Sequence, residues 1–332
     1  MSKVLVTGSE GFIGSHLVEQ LVRSGYQVKA MVLYNSFNSR GWLDDLNVEI
    51  LESLEVIFAD IRDPQLTKNA MAGCKYVFNL AALVAIPYSY LAPSSYIDTN
   101  IRGTLNILQA ALENDVKKVI QTSTSEVYGS AKFVPITEDH PLSAQSPYAA
   151  SKIAADQLAL SYHASFGLPV TIVRPFNTFG PRQSTRAVIP TIITQIAQGQ
   201  EELSLGNVSP TRDFSFVTDT TSGFLAALQS TEGLGDVFNL GSNFEISVGE
   251  TVEIISELFG KNVSLTTEAE RIRPEKSEVV RLWADNNRAK QQFGWKPEYE
   301  GLDGFKKALS KTIDWYLDPV NLAKYQSMSF TL

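Results

Sequence analysis

The chain has 332 residues, of which 44% are hydrophobic and 19% charged, with a formal net charge of −8. This length suits about two domains, and the composition is that of a folded protein with a large core. The acidic balance, without a cluster of Lys and Arg, argues against a nucleic-acid partner. A single cysteine excludes an internal disulfide, and the histidines have no metal-ligand spacing, so we expect no metal site.

Targeting and membrane signals are not apparent in the sequence. The apolar run at the N-terminus is too short for a signal peptide. The most apolar stretch, residues 77–86, falls well short of the about 20 residues that span a bilayer. We therefore expect a soluble cytoplasmic protein with no membrane partner.

Short apolar runs alternate with helical patterns through the first half of the chain. This alternation is typical of βαβ units in a parallel sheet. The predicted strands are 4–6, 28–33, 55–59, 76–80, 118–122 and 170–174. The predicted helices are 15–24, 64–72, 94–114 and 147–166.

Beyond Pro175 this regularity ends, because prolines interrupt shorter elements. We therefore predict an α/β protein with two parts. Residues 1–175 form a doubly wound parallel sheet that binds a dinucleotide. Residues 176–332 form a smaller α/β lobe that binds the substrate, and some of their strands and helices return to the first domain.

The first predicted strand leads into a glycine-rich turn, residues 7–14 (TGSEGFIG), and then into a helix. Glycines allow a tight turn, a close approach of the backbone to a pyrophosphate, and close packing of helix on strand. The helix N-terminus adds N–H donors for that phosphate. The predicted cofactor contacts of the turn are Gly8, Gly11, Phe12, Ile13 and Gly14; an ordinary βα turn is the alternative.

The acid that usually accompanies such a turn is missing. In the dinucleotide fingerprint an Asp or Glu about 20 residues further on bonds the adenosine ribose, but Val32 stands at the expected place. Asn35 and Ser36, with Asn38, are candidate ribose ligands, and Arg40 is a candidate for a 2′-phosphate. Charge alone therefore does not decide between NAD and NADP.

Asp60 follows the third predicted strand and is a candidate contact for the adenine. The alternative for this residue is a simple cap at the end of the strand.

Tyr148 and Lys152 stand four residues apart at a predicted helix start, which places them on one helix face. A phenol with a pKa of about 10 is a poor base at neutral pH. A neighbouring ammonium and a cationic nicotinamide favour the phenolate, so the pair could take a proton from a sugar hydroxyl. Any helix can carry this pair, so its meaning depends on the motifs around it.

With those motifs, the chain resembles the extended short-chain dehydrogenase/reductases, and among them the NAD-dependent epimerase/dehydratase family that acts on nucleotide sugars. The resemblance covers nearly the whole chain. Besides the turn and the Tyr–Lys pair, it rests on NLAA (79–82), NIRGT (100–104), STSEVYG (123–129), RPFN (174–177), GPRQ (180–183) and RDF (212–214). It implies a Rossmann-type fold, NAD as the cofactor with NADP not excluded, and a homodimer formed through the helices near 94–114 and 147–166. It also implies cofactor contacts at Asp60, Ile61, Ala81, Asn100, Tyr148 and Lys152.

Within the family, the chain is most similar to bacterial 4,6-dehydratases that supply precursors of legionaminic and pseudaminic acid. The similarity lies in residues 34–44, 85–90 and 271–279. It implies a UDP- or GDP-linked N-acetylglucosamine as the substrate.

The resemblance also implies catalytic roles. Thr124 would hydrogen-bond the sugar 4-hydroxyl, Tyr148 would deprotonate it, and Lys152 would hold the nicotinamide ribose. Oxidation at C4 makes the C5 proton acidic, and Glu126 is the base by position. Loss of the C6 hydroxyl and return of the hydride to C6 would complete a 4,6-dehydration.

One residue departs from the pattern of the familiar sugar 4,6-dehydratases, which carry Thr-Asp-Glu at this point. Ser125 replaces the Asp that protonates the departing hydroxyl. Serine is a poor acid and would only relay a proton through water. Two other reactions therefore stay open: resetting C5 of a 5,6-unsaturated or 4-keto sugar, and 4-epimerisation.

The substrate diphosphate needs cations from the second half of the chain. Arg212 and Arg273 match the diphosphate arginines of the family, and a guanidinium fork suits that role. Asn177 would contact the phosphate or a sugar hydroxyl, and Arg182 is a further candidate. Surface ion pairs are the alternative for these arginines.

Overall fold

The computed structural model describes residues 2–268 and 271–325. In chain order the strands are β1 (Lys3–Thr7), β2 (Gln27–Val32), β3 (Glu55–Phe58), β4 (Tyr76–Asn79), β5 (Lys118–Thr122), β6 (Val170–Pro175), β7 (Asn177–Phe179), β8 (Glu202–Leu205), β9 (Thr211–Arg212), β10 (Phe214–Phe216), β11 (Asp236–Leu240), β12 (Ile246–Ser247) and β13 (Ser264–Thr267). The helices are α1 (Phe12–Arg23), α2 (Val48–Glu52), α3 (Pro64–Met71), α4 (Ile86–Leu91), α5 (Pro93–Tyr96), α6 (Gly103–Glu113), α7 (Pro147–Phe166), α8 (Val188–Ala197), α9 (Val217–Gln229), α10 (Val248–Phe259), α11 (Asn287–Phe293), α12 (Gly301–Leu317) and α13 (Pro319–Ala323). A π-helical stretch, Ile97–Arg102, joins α5 to α6.

Seven strands form the central sheet, in the order β11-β6-β5-β4-β1-β2-β3. Every neighbouring pair in it is parallel. The chain first adds strands on one side of β1 and then, from β4 onward, on the other, which is the order of a doubly wound Rossmann-type sheet. The predicted fold class is confirmed.

Helices cover both faces of this sheet because side chains alternate along each strand. On β1, Val4 and Val6 join the core that lies under α1 and α9. Leu5 between them joins the core under α3, α6 and α7. Val4, Leu5 and Val6 are all fully buried, so β1 is covered by helices on both faces of the sheet.

A second lobe, rich in aromatic side chains, lies beyond the sheet. Its core contains Phe179, Phe214 and Phe305, and the last two rings stack with centroids 5.8 Å apart. Residues after 176 do not all belong to this lobe, since β11 pairs with β6 and α9 packs on the sheet. The boundary at residue 175 stays a prediction.

The first helix begins earlier than its pattern predicts. It starts at Phe12 with Gly11 as its N-cap, whereas the apolar pattern begins at residue 15. Gly14 lies inside the first turn of α1 because the helix must approach β1 closely there: a Cβ on Gly14 would lie 2.1 Å from the carbonyl oxygen of Gly8. By contrast, the predicted bounds of α7 agree with the structure.

The strand order reverses between β1 and β4, and in a sheet of this order a crevice lies at the carboxyl ends of those two strands. Thr7 holds the two ends together: its hydroxyl donates to Asn79 Oδ1 over 2.9 Å and accepts the Ala81 N–H over 3.0 Å. In the described ranges, none of the helices combines the length and apolarity required to traverse a membrane.

Candidate active site

A cleft of about 1010 Å³ extends from this crevice into the second lobe. Its lining includes most of the predicted site. The predicted residues that line it are Gly8, Gly11, Phe12, Ile13, Gly14, Asp60, Ile61, Ala81, Thr124, Ser125, Glu126, Tyr148, Lys152, Asn177, Arg212 and Arg273.

The glycine turn forms a cradle that only glycines can build. Gly8 has a φ of +66°, and a Cβ on it would lie 2.9 Å from the backbone nitrogen of Ala81. The turn therefore brings bare backbone and the N-terminus of α1 to the mouth of the crevice, where N–H groups can receive a pyrophosphate. These residues fit the diphosphate of a dinucleotide.

Tyr148 and Lys152 project from the first turns of α7. This helix begins at Pro147, and the Ser146 hydroxyl caps it by accepting the Ala149 N–H. Burial raises the pKa of Tyr148, and a hydrogen bond with Thr124 opposes that rise. The bond places the Thr124 hydroxyl at the phenol, where a substrate hydroxyl could share it.

Lys152, one helical turn after Tyr148, is buried. Its ammonium donates to the carbonyl oxygen of Thr122 over 2.6 Å. Burial lowers the pKa of Lys152 to about 8, while the negative charge of Asp156 opposes this shift. Asp156 is itself held by Arg174 at 3.0 Å and by the Ser123 hydroxyl at 2.7 Å, so α7 is fixed against β5 and β6.

Glu126 lies on the other side of Tyr148, in the 3-10 helix Ser125–Tyr128. It is only 9% exposed, and its negative charge contributes to the raised pKa of Tyr148. Arg273 Nη1 lies 3.9 Å from Glu126 Oε1. The site thus places a buried carboxylate close to both the phenol of Tyr148 and a guanidinium.

The guanidinium groups of Arg212 and Arg273 both lie near the carboxylate of Glu278 in the wall of the cleft. Arg212 Nη2 lies 3.3 Å from Glu278, and Arg273 Nη1 lies 3.9 Å from the same carboxylate. Burial lowers the pKa of Arg212, and the charge of Arg273 lowers it further. Because Arg273 Nη1 is buried and makes no hydrogen bond, this pair can still receive an anion such as a diphosphate.

Comparison with known proteins agrees with this geometry. Residues 5–308 match the family model described as GDP-mannose 4,6 dehydratase. The low-salt glycan biosynthesis protein Agl12 of Haloferax volcanii is 34% identical over 319 residues, which cover 95% of this chain and 98% of that protein. The chain belongs to the extended short-chain dehydrogenase/reductases, in the NAD-dependent epimerase/dehydratase family.

Solved relatives in this family catalyse two related reactions. The dTDP-glucose 4,6-dehydratase DesIV of Streptomyces venezuelae, a double mutant with NAD bound, has a TM-score of 0.84 and 29% identity, covering 96% of this chain and 98% of that one. A UDP-N-acetylglucosamine 4-epimerase of Methanobrevibacter ruminantium has a TM-score of 0.84 and 31% identity, covering 95% and 98%. This chain is accordingly an enzyme of the nucleotide-sugar dehydratase and epimerase class.

Other predicted residues of this family member do not reach the cleft. The Asn35 side chain closes a local turn, since its Oδ1 accepts the N–H groups of Phe37 and Ser39. Ser36 is exposed in the same turn. Neither residue is among those that line the cleft, and their role as ribose ligands stays a prediction.

The side chains of Asn100 and Arg182 bind neighbouring elements of the protein and do not line the cleft. Asn100 accepts the Leu83 N–H over 2.9 Å and donates to Ser151 Oγ over 2.9 Å, so it joins the cleft wall to α7 without lining the cleft. Arg182 pairs with Glu19 of α1 at 3.2 Å and lies outside the lining.

Five charged residues that line the cleft were not predicted as site residues from the sequence: Glu10, Arg62, Arg186, Arg271 and Glu278. Glu10 lies inside the glycine turn. The lack of an acid at the end of β2 is the feature of the sequence that could have pointed to another carboxylate there. Glu278 follows Arg273 by five residues. A carboxylate so close to a predicted diphosphate arginine could have indicated an ion pair with it. Arg186 lies beyond the GPRQ motif, and no pattern marked it.

The low pKa of Lys152 predicts an alkaline limit to activity. Since the ammonium is charged only below about pH 8 in the free enzyme, kcat/KM should fall as the pH rises through that value. A pH profile of kcat/KM measures this. In Lys152→Arg the cation stays charged, because the pKa of Arg exceeds about 12, so the alkaline fall should move to higher pH. An unchanged profile in this variant would show that another group sets the limit.

Proposed function

We propose that this enzyme is an NAD-dependent 4,6-dehydratase of a nucleotide-linked N-acetylglucosamine. The buried carboxylate of Glu126 beside Tyr148 carries the proposal. Oxidation and reduction at C4 alone give an epimer and need no second base. A carboxylate next to the site of C4 oxidation can remove the C5 proton, which a 4-keto group acidifies.

The residues of the cleft divide the first half of the reaction between them. NAD held by the glycine turn and Lys152 would supply reversible hydride acceptance, which links oxidation at C4 to reduction at C6. Thr124 binds the sugar 4-hydroxyl, and Tyr148 takes its proton. Lys152 favours the phenolate by its charge and holds the nicotinamide ribose.

Glu126 can also supply the acid that is missing at Ser125, the group that protonates the departing C6 hydroxyl. Once it has taken the C5 proton, Glu126 is a carboxylic acid, unlike serine. It can give that proton to the departing C6 hydroxyl, directly or through the Ser125 hydroxyl. The C6–O bond then breaks, water leaves, and the C5=C6 bond accepts the hydride at C6 and, at C5, a solvent proton delivered through Glu126. Tyr148 releases the proton of the 4-hydroxyl to solvent, which balances the cycle. The products are a 4-keto-6-deoxy sugar nucleotide and water, and the cofactor is regenerated.

Apolar side chains support an acylated sugar. Val84, just before α4, and Ile86 and Pro87, in its first turn, line the cleft. An apolar wall of this kind suits the methyl of an N-acetyl group. Arg212 and Arg273 would hold the diphosphate of a UDP- or GDP-linked sugar, with Asn177 at a phosphate or a sugar hydroxyl.

Removal of Arg273 tests the substrate site. Arg273→Ala should weaken binding of the sugar nucleotide by about 1.5–3 kcal/mol, the contribution of a hydrogen bond to a charged group. Titration calorimetry with UDP-N-acetylglucosamine measures the Kd. Arg23→Ala, a change at an exposed residue outside the cleft lining, is the matched control. Equal affinities in the two variants would place the diphosphate elsewhere.

The reaction itself is tested by incubating the protein with UDP- and GDP-N-acetylglucosamine in D₂O. Mass spectrometry should show loss of water, and NMR should show deuterium at C5. An epimer without deuterium at C5 would overturn the proposal. Because Ser125 stands at the place of an acid, C5 resetting is the second candidate; it predicts no water loss and deuterium entry at C5 of a 4-keto sugar.

We propose a homodimer as well. Exposed apolar side chains lie on the continuous helix from α5 to α6, at Ile97 and Leu105, and at the end of α7, at Phe166. Light scattering of the purified protein should give twice the mass of the 36.5 kDa chain. Ile97→Asp should lower that mass to one chain.

A further inference from the structure

The carboxyl end of β2 has no acid of its own to meet an adenosine ribose. Val32, at the place where the dinucleotide fingerprint has Asp or Glu, is 1% exposed and belongs to the core under α1 and α9. Its side chain therefore points away from the cleft. The next residue, Leu33, lines the cleft but has no polar side chain.

A carboxylate reaches this place from the glycine turn instead. Glu10 Oε1 accepts the backbone N–H of Leu33 over 2.9 Å, which puts the carboxylate at the end of β2 although the residue belongs to the turn after β1. Glu10 Oε2 is buried and makes no hydrogen bond. Glu10 lines the cleft together with Asp60 and Ile61, which follow β3, the strand paired with β2.

The surrounding backbone holds Glu10 in position. Its carbonyl oxygen accepts the Trp42 N–H over 3.0 Å. Gly41 packs so closely on Glu10 that a Cβ there would lie 2.7 Å from the same oxygen. Burial raises the pKa of Glu10, because its charged form has lost water without gaining enough donors. A hydroxyl that donates to Oε2 would supply the missing partner.

We infer that Glu10 is the ligand of the adenosine ribose in this enzyme and that it makes the site select NAD over NADP. The inference rests on the proposed NAD-dependent function. The carboxylate of Glu10 can accept a hydrogen bond from a ribose hydroxyl. A 2′-phosphate would instead bring negative charge against it, and close like charges are strongly unfavourable.

Arg40 and Arg62, the cations of the loops after β2 and β3, are both in ion pairs. Arg40, a candidate for a 2′-phosphate, donates to Asp44 from its Nε over 2.7 Å and from its backbone N–H over 2.8 Å. Arg62 donates from Nε to Asp60 over 2.9 Å. A 2′-phosphate would have to break one of these ion pairs to find a counter-charge.

Cofactor binding without any sugar tests the inference. Protein freed of nucleotide is titrated with NAD and with NADP by calorimetry, and wild type should bind NAD at least about 100-fold more tightly, as expected for one lost hydrogen bond and one charge repulsion. In Glu10→Gln, which keeps the shape but removes the charge, the Kd for NAD should rise about tenfold and that for NADP should fall. The preference should therefore nearly vanish.

Glu52→Gln is the matched control, since Glu52 is exposed on α2 and does not line the cleft. It should leave both Kd values unchanged. Glu10→Asp serves as a second variant: it keeps the charge on a shorter side chain, so the preference for NAD should persist while affinity falls. An unchanged preference in Glu10→Gln, or equal affinities in wild type, would overturn the inference. Neither result bears on the dehydration, which is measured on the sugar.

Discussion

Replacement of Tyr148 with Phe is expected to lower kcat by about 10²–10⁴-fold, the usual contribution of a positioned acid–base group. The variant loses only the phenolic oxygen, so the 4-hydroxyl keeps its hydrogen bond to Thr124 but has no base to take its proton. Cofactor affinity should persist, because the glycine cradle and Lys152 are untouched. Mass spectrometry of water loss and calorimetry with NAD measure the two effects separately.

Tyr34→Phe is the control for this experiment. Tyr34 is 73% exposed and lies outside the cleft lining, so its replacement should leave kcat unchanged. Turnover by Tyr148→Phe at the wild-type rate would remove Tyr148 from the mechanism.

Replacement of Glu126 with Gln should separate oxidation at C4 from chemistry at C5. The amide keeps the shape of the side chain but cannot take a proton, so entry of solvent deuterium at C5 and loss of water should both fall about 10²–10⁴-fold. Tyr148 and Thr124 remain, so oxidation at C4 should still occur. We therefore expect the absorbance of the reduced cofactor to rise when substrate is added and then to persist.

The control is Glu253→Gln, a change on the exposed face of α10 outside the cleft lining. It should have wild-type rates of deuterium entry and water loss. If Glu126→Gln still incorporates deuterium at C5 at the wild-type rate, the base is another group and the dehydratase proposal loses its main support.

Local signals explain which elements the sequence predicts well. The bounds of α7 are correct because Ser146 and Pro147 mark its start, and Gly167, with a φ of +69°, ends it. β5 is correct because its β-branched pair, Val119 and Ile120, is fully buried at the centre of a parallel strand. The start of α1 is predicted too late, since a glycine inside a helix resembles a break until its packing is known.

The site shows the same division between local and long-range information. The motif around Thr124 and the spacing of Tyr148 and Lys152 are local, and the structure brings these residues to one cleft. Which side chain lies at the end of β2 depends on how β1 and β2 pair. The sequence therefore predicts Asn35 there, whereas the structure brings the Glu10 carboxylate to the end of β2. The direction of Arg182 depends on the φ of +70° at that residue, which turns it toward Glu19.

The return of β11 to the central sheet ties the two parts of the molecule into one folding unit. A fragment that stopped at residue 175 would keep the glycine cradle and Tyr148, yet it would expose the hydrogen-bonding edge of β6 that β11 covers. It would also lose Phe224 and Phe238, both fully buried, from one face of the sheet. Such an edge invites pairing with other chains. The dinucleotide-binding part should therefore aggregate when expressed alone, and its evolutionary exchange as a separate module requires the later strand to move with it.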